Sequence, residues 1–99
     1  MTSPDILIGG GGVIGLMTAW RLAGEGLSVT VVDSGAPAAT AAAAGMLAPS
    51  FERALHAGPA LEAFARTSLA RWRILAPQLE EESGRSVDLQ TSGILSVAF

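Results

Sequence analysis

Apolar and polar positions change period several times along this chain, and each change marks an element. Ile6-Leu7-Ile8 is a short, continuous apolar run of the kind a buried parallel strand shows. Gly9 to Gly12 stop it abruptly. From Val13 onward, Ile14, Met17 and Leu22, with the small Ala19 and Ala23, fit one stripe of a helix, and Arg21 falls on the other side. Gly26 is placed to end that helix in the left-handed conformation. Leu27 to Asp33 then reads as a second buried strand, its β-branched residues favouring extended backbone. Strand, glycine turn, helix and strand in this order predict a βαβ unit with a right-handed crossover.

The stretch from Ser34 to Pro49 is dominated by alanine. A plain linker is one reading. The other has Thr40 capping a short turn through Ala41 to Ala44, ended by Gly45. Ser50 to His56 predicts a helical turn, and Gly58-Pro59 punctuates the chain with proline suited to a first helical position. Leu61, Phe64, Leu69, Trp72, Leu75 and Leu79 then space out the apolar face of an amphipathic helix over 60–83, with Trp72 in the core. Pro77 predicts a kink or break, leaving Leu79 to Ser83 as a separate last turn or second helix. Glu80 to Glu82 read as a solvated acidic face ahead of Gly84. Arg85 to Gln90 and Ile94 to Phe99 predict two strands of a hairpin around Thr91-Ser92-Gly93. The fold class expected is α/β: the N-terminal βαβ part of a Rossmann-like domain, incomplete, followed by helices and the start of a β-hairpin.

Composition narrows the function classes. A chain of 99 residues has material for one small domain, and 49% hydrophobic against 15% charged residues excludes global disorder. So few charges suit the interior portion of something larger. The six basic residues, all arginine, against nine acidic ones give a net charge of -3. With no basic cluster beyond Arg71 and Arg73, a nucleic-acid partner is not expected. The absence of cysteine removes disulfides and thiolate chemistry, and a single histidine makes no metal site. Met1 to Asp5 lack the basic start of a secretory leader, and the run from Ile6 to Trp20 is too short and glycine-rich to span a bilayer. No membrane partner and a cytoplasmic location are the expectation.

Gly10-x-Gly12-x-x-Gly15 follows a predicted strand and opens a predicted helix, and Asp33 ends the next strand. That context turns a weak glycine pattern into a dinucleotide fingerprint. Gly10 permits the tight turn, Gly12 leaves backbone bare for a pyrophosphate, and Gly15 lets helix and strand pack closely. The first-turn N–H groups and the helix dipole favour the diphosphate. Asp33 is placed to accept from an adenosine ribose and to repel a 2′-phosphate, which disfavours NADP. Between FAD and NAD these residues do not choose. His56, beside Gly58-Pro59, reads as a surface residue at a helix end rather than a general base. Met46 is either a core filler or a neighbour of a cofactor ring.

The run from Asp5 to Ala19, continuing through Leu22-Ala23 and Gly26 to Val29 and Val31, resembles the N-terminus of the D-amino-acid-oxidase-like FAD-dependent oxidoreductases. Within that family, Ala42-Ala-Ala-Gly-Met-Leu-Ala-Pro49 with Glu52 resembles the glycine-oxidase branch of thiamine biosynthesis. Ser68, Trp72, Leu79-Glu80 and Gly84 are similar to its first long helix, and the run from Gly93 to Ala98 to a later strand. The resemblance implies FAD. It places Gly10, Gly12, Val13, Ile14 and Gly15 at the pyrophosphate, Asp33 at the adenosine ribose and Thr40 where the family usually has a pyrophosphate-side serine. It puts Ala44, Gly45, Met46 and Leu47 along the isoalloxazine ring, and Glu52 near the active-site entrance. Asp33 replaces a more usual glutamate, and Ser34 stands where the family commonly has an arginine.

The resemblance also implies an activity: oxidation of glycine or a similar small amino acid to an imine, with hydride passing to FAD and oxygen as acceptor. By the same resemblance, the family's substrate-binding tyrosine and arginines lie in parts absent here, and the chain contains no tyrosine. The expectation is an N-terminal fragment, inactive alone, with 1–84 a partial FAD-binding domain and 85–99 the first strands of a substrate domain. No catalytic residue is assigned to it. Its expected partners are the remaining portion or a second chain, a small amino-acid substrate in the complete enzyme, and other copies pairing at the open strand edge. A D-amino-acid or sarcosine dehydrogenase, or a dinucleotide-binding subunit without chemistry, are the alternatives.

Overall fold

The computed structural model describes residues 2–51, 58–95 and 97. The chain forms two compact units, Met1–Gly45 and Met46–Phe99. In the first, β1 (Ile6–Gly9), α1 (Val13–Gly24) and β2 (Val29–Val32) make the βαβ unit, followed by a short helix α2 (Ala39–Ala42). β1 and β2 pair in parallel, Ile6 opposite Val29 through to Gly9 opposite Val32. The ladder extends at its far end, where Gly10 N–H donates to the Val32 carbonyl at 2.8 Å. At its near end Asp5 ties the strands: Ser28 N–H donates to Asp5 Oδ2 at 2.8 Å, while Asp5 N–H donates to the Ser28 carbonyl at 2.9 Å.

Alternation along the strands separates two faces. Ile6 and Ile8 of β1 and Val29 and Val31 of β2 are half-buried. The α1 side of the sheet is marked by Gly15, whose missing Cβ would lie 3.5 Å from Ile8 Cγ2. The other face leaves Leu7 67% and Val32 57% exposed. α1 ends as its sequence dictates. Gly26 is left-handed (φ 87°), its N–H donates to Ala23, and Leu27 N–H donates to Leu22. Those two bonds are the Schellman pattern that satisfies a helix's last carbonyls.

The second unit is built on α3 (Pro59–Ser83). Gly58 precedes it and Pro59 sits at its first position, where the missing N–H costs nothing. Glu62 in the first turn favours the helix dipole and pairs with Arg66 at 2.9 Å, and Arg66 also donates to Ser50 Oγ at 2.9 Å. Gly84, left-handed at φ 66°, closes the helix by donating to the Glu80 carbonyl at 2.9 Å.

Several expectations for this unit are corrected. α3 runs unbroken through Pro77, with no separate last turn. Proline removes a single backbone donor, so the Arg73 carbonyl loses its i+4 partner while the helix continues on either side. The inner face of α3 carries Ala65, Trp72, Leu75, Ala76 and Leu79, but Leu61, Phe64 and Leu69 are exposed. Trp72 is half-buried, and Ala76 is the one buried apolar residue among those described. The acidic face is exposed at Glu80, Glu81 and Glu82, as expected, and the Glu80 carboxylate also accepts from Val87 N–H at 2.8 Å.

The hairpin is absent among the described residues: 85–95 and 97 form no strand. Two local features oppose extension: Val87 is turned onto Glu80, and Asp88 adopts a left-handed φ of 51°. Residues 49–51 begin the expected turn before α3, whereas the rest of it, with Glu52 and His56, lies outside the described residues.

Candidate functional site: the glycine turn between β1 and α1

The chain passes from β1 to α1 through an unbroken run of glycine, Gly9 to Gly12. Gly10 adopts φ 109°, which L side chains rarely reach, so the reversal out of β1 requires glycine. Gly15 is required for space: a Cβ there would overlap the Gly10 carbonyl, a backbone group that cannot step aside. Gly12 caps α1 in extended conformation with no side chain of its own to satisfy the helix. The close packing expected of Gly15 and the tight turn expected of Gly10 are both present.

The donor at the head of α1 is met from elsewhere. Thr40 Oγ1 accepts from Val13 N–H at 3.0 Å, across 27 residues. Thr40 was expected to cap its own short helix. Instead that helix starts after Ala38 with no side-chain cap, and Thr40 caps α1 in trans. The same hydroxyl occupies the space beside Gly12, whose missing Cβ would lie 3.0 Å from it.

Asp33 is the second residue that reaches back to the turn. Its Oδ2 accepts from Gly11 N–H at 2.6 Å and its Oδ1 from Gly35 N–H at 2.7 Å. These two donors, Gly11 first, hold the carboxyl below the usual carboxylate range. Each carboxylate oxygen has a further lone pair, so the group still has acceptor capacity for a hydroxyl. Gly11 and Gly35 were not singled out in the sequence. Gly11 occupies a variable position of the fingerprint, and the only available signal was the unbroken glycine run itself.

Gly10, Gly12, Val13, Gly15, Asp33 and Thr40 therefore gather around one turn. Ile14 stands at its helical rim, 82% exposed. Ser34 turns locally, its Oγ accepting from Ala36 N–H at 3.3 Å. Ala44 and Gly45 follow α2 in irregular, exposed backbone, Gly45 at φ 80°. Met46 and Leu47 belong to the second unit, 60% and 37% exposed. Among the described residues no three metal-ligating side chains cluster, and no helix is long and apolar enough to cross a membrane.

The first-turn N–H groups of an α-helix have no intrahelical acceptor, and here the chain enters that turn through bare glycine backbone. Such an end suits a diphosphate, with a carboxylate at the next strand's exit to receive a ribose. A diphosphate-linked dinucleotide fits these residues.

Comparison with known proteins agrees with that geometry. A family model described as DAO, FAD dependent oxidoreductase, matches residues 5–99. The bifunctional protein ThiO/ThiG of Synechocystis sp. is 41% identical over 103 residues, spanning 99% of this chain and 15% of that protein. A glycine oxidase of Bacillus licheniformis is 38% identical over 97 residues, spanning 96% of this chain and 26% of that protein. A shorter stretch of 49 residues is 49% identical to the tRNA 5-methylaminomethyl-2-thiouridine biosynthesis bifunctional protein MnmC of Psychrobacter cryohalolentis, spanning 48% of this chain and 7% of that protein. The chain thus spans about a quarter or less of the length of these relatives. No solved structure matches it significantly.

Proposed function

Because the chain belongs to the DAO family of FAD-dependent oxidoreductases, we propose that it supplies the diphosphate- and ribose-binding part of an FAD-dependent amine or amino-acid oxidase. Glycine is the substrate this reading favours, and thiamine biosynthesis is its setting. Relatives named glycine oxidase and ThiO/ThiG along nearly the whole chain support the choice. The observation that carries the cofactor assignment is the turn itself, where Gly10 reverses the chain and Gly15 lets α1 press against it.

In this reading the α1 end and Gly12 receive the diphosphate, and Asp33 accepts from the adenosine ribose. Ala44 to Leu47 lie toward the flavin ring, and residues 85–99 begin the substrate domain. When bound, FAD supplies the two-electron acceptor for amine oxidation to an imine. The chain's own residues bind and orient; none is assigned a proton-transfer step. The 99 residues alone are then inactive, because a substrate pocket and a water-excluding site need further chain. A cytoplasmic location, a small amino-acid substrate and association with further chain or another copy belong to the same reading.

The test is direct. The full-length protein, purified and incubated with FAD, takes up a yellow chromophore and forms hydrogen peroxide under air with glycine. Failure to take up FAD would end the cofactor assignment. Oxidation of a D-amino acid or sarcosine that yields no peroxide and needs an added electron carrier would keep the family but favour the dehydrogenase alternative.

A further inference from the structure

Gly11 is the one glycine of the turn that neither backbone conformation nor the fingerprint explains. Its φ is not among the left-handed values, unlike that of Gly10. Space explains it: a Cβ on Gly11 would stand 3.1 Å from Asp33 Cβ and 3.2 Å from both Cγ and Oδ2. A side chain there would press the carboxylate back by a few tenths of an ångström, out of its short bond to the Gly11 amide. That bond from Gly11 N–H to Asp33 Oδ2, 2.6 Å and spanning 22 residues, has the length of a charge-assisted contact.

We propose that Gly11 and Asp33 form a latch that presets the glycine turn for the diphosphate, a positioning role separate from any contact between Asp33 and the ribose. The inference rests on the FAD reading above. A run of glycines from Gly9 to Gly12 has more conformational freedom than any other sequence of that length. Left loose, it would have to be ordered each time a ligand binds, and that cost would be subtracted from affinity. Asp33 orders it beforehand. The carboxylate is itself fixed by Gly35 N–H at 2.7 Å, so the latch has a rigid base rather than a swinging side chain. Thr40 holds the next alternate donor, Val13 N–H, at 3.0 Å. With Gly11 and Val13 engaged internally, the latch leaves the intervening Gly12 backbone to the diphosphate.

A cofactor analogue separates the latch from the ribose contact. FAD and its 2′,3′-dideoxyadenosine analogue are titrated, by flavin fluorescence, into full-length wild type, Asp33→Ala, Gly11→Ala and the double variant. The latch predicts that Asp33→Ala weakens the analogue about tenfold even though the ribose hydroxyls are gone. It also predicts that Gly11→Ala weakens the analogue similarly and that the double variant is no worse than Asp33→Ala, because the two residues act as one unit. Hydrogen exchange in the cofactor-free protein adds a readout independent of binding. The Gly11 amide exchanges slowly in wild type and faster in Asp33→Ala, while the β1 amides are unchanged. Asp33→Asn, nearly isosteric, replaces the alanine variant if circular dichroism shows the latter unfolded.

Equal affinity of wild type and Asp33→Ala for the analogue would overturn the latch while leaving the FAD reading intact. So would a double variant whose loss equals the product of the two single losses. Wild type that binds neither FAD nor the analogue would overturn the FAD reading, and the latch with it.

Discussion

Gly15 and Gly24 lie in the same helix, yet the same substitution at the two sites should move stability in opposite directions. Alanine in place of glycine in a helix gains roughly 0.5–1 kcal/mol, through the entropy that glycine loses on folding. At Gly24, the last residue of α1, an added Cβ meets nothing within 4 Å, so a gain at the lower end of that range is expected. At Gly15 the Cβ overlaps the Gly10 carbonyl, and Ile8 Cγ2 lies at 3.5 Å behind it. Relief requires α1 to move away from the turn by on the order of 1 Å, because the obstructing atom is backbone. Overpacking of this kind costs about 1–3 kcal/mol, and a backbone obstacle places it toward the upper end. After the propensity gain is subtracted, Gly15→Ala should be destabilising by about 2 kcal/mol, and Gly24→Ala stabilising by about 0.5 kcal/mol. Thermal or urea unfolding of the cofactor-free full-length protein reads both, and the FAD dissociation constant shows whether the displaced helix end still receives the diphosphate. Stability and affinity unchanged in Gly15→Ala would refute the close approach of α1 to the turn. Equal effects at the two glycines would do the same.

Thr40→Val removes the acceptor at the head of α1 while keeping shape, and should cost about 1 kcal/mol of stability that Thr40→Ser largely retains, as measured by urea unfolding. Asp33, whose carboxyl is held below its ordinary value by Gly11 and Gly35 N–H, contributes stability that is present above the unfolded-state pKa and lost as pH falls through the lower folded-state value. Unfolding midpoints followed from neutral pH to strongly acidic pH should show this acid loss in wild type and a smaller one in Asp33→Asn. An acid loss of the same size in Asp33→Asn would refute it. Pro77→Ala restores a donor for the Arg73 carbonyl inside α3, so the thermal midpoint should rise, by about 1–3 kcal/mol in stability terms. A lowered midpoint would show that Pro77 is held for a reason outside the helix.

The βαβ unit was legible because three independent signals agree at each of its boundaries. β-branched runs mark the strands, glycine marks the turns, and Gly26 marks the helix end with the left-handed φ its position requires. The turn's chemistry was legible where it is local, as at Gly10 and Gly15. It was not legible where a side chain acts across the chain. Thr40 looks like the cap of the alanines that follow it, and nothing in its neighbourhood says that its hydroxyl faces Val13, 27 residues away. Gly11 is masked by the glycines around it. In the second unit the spacing of apolar residues gave the helix but not its covered face: Phe64 is 70% exposed although it fits the stripe. Periodicity tells which residues share a side, whereas burial depends on what is packed there. Among the described residues the hairpin does not form for the same reason, because residues of strand propensity need a partner strand, and Val87 is held by Glu80 instead.

Whether an FAD diphosphate lies on the turn between β1 and α1 can be read from a single comparison. The FAD dissociation constant is measured for the full-length protein and for Gly12→Ala. An added methyl group at Gly12 enters the diphosphate path and crowds Thr40 Oγ1, 3.0 Å away. FAD retention should be severely weakened while circular dichroism shows the fold intact. Unchanged affinity in a folded Gly12→Ala protein would mean that the diphosphate does not lie on this turn, and the cofactor site proposed here would be wrong.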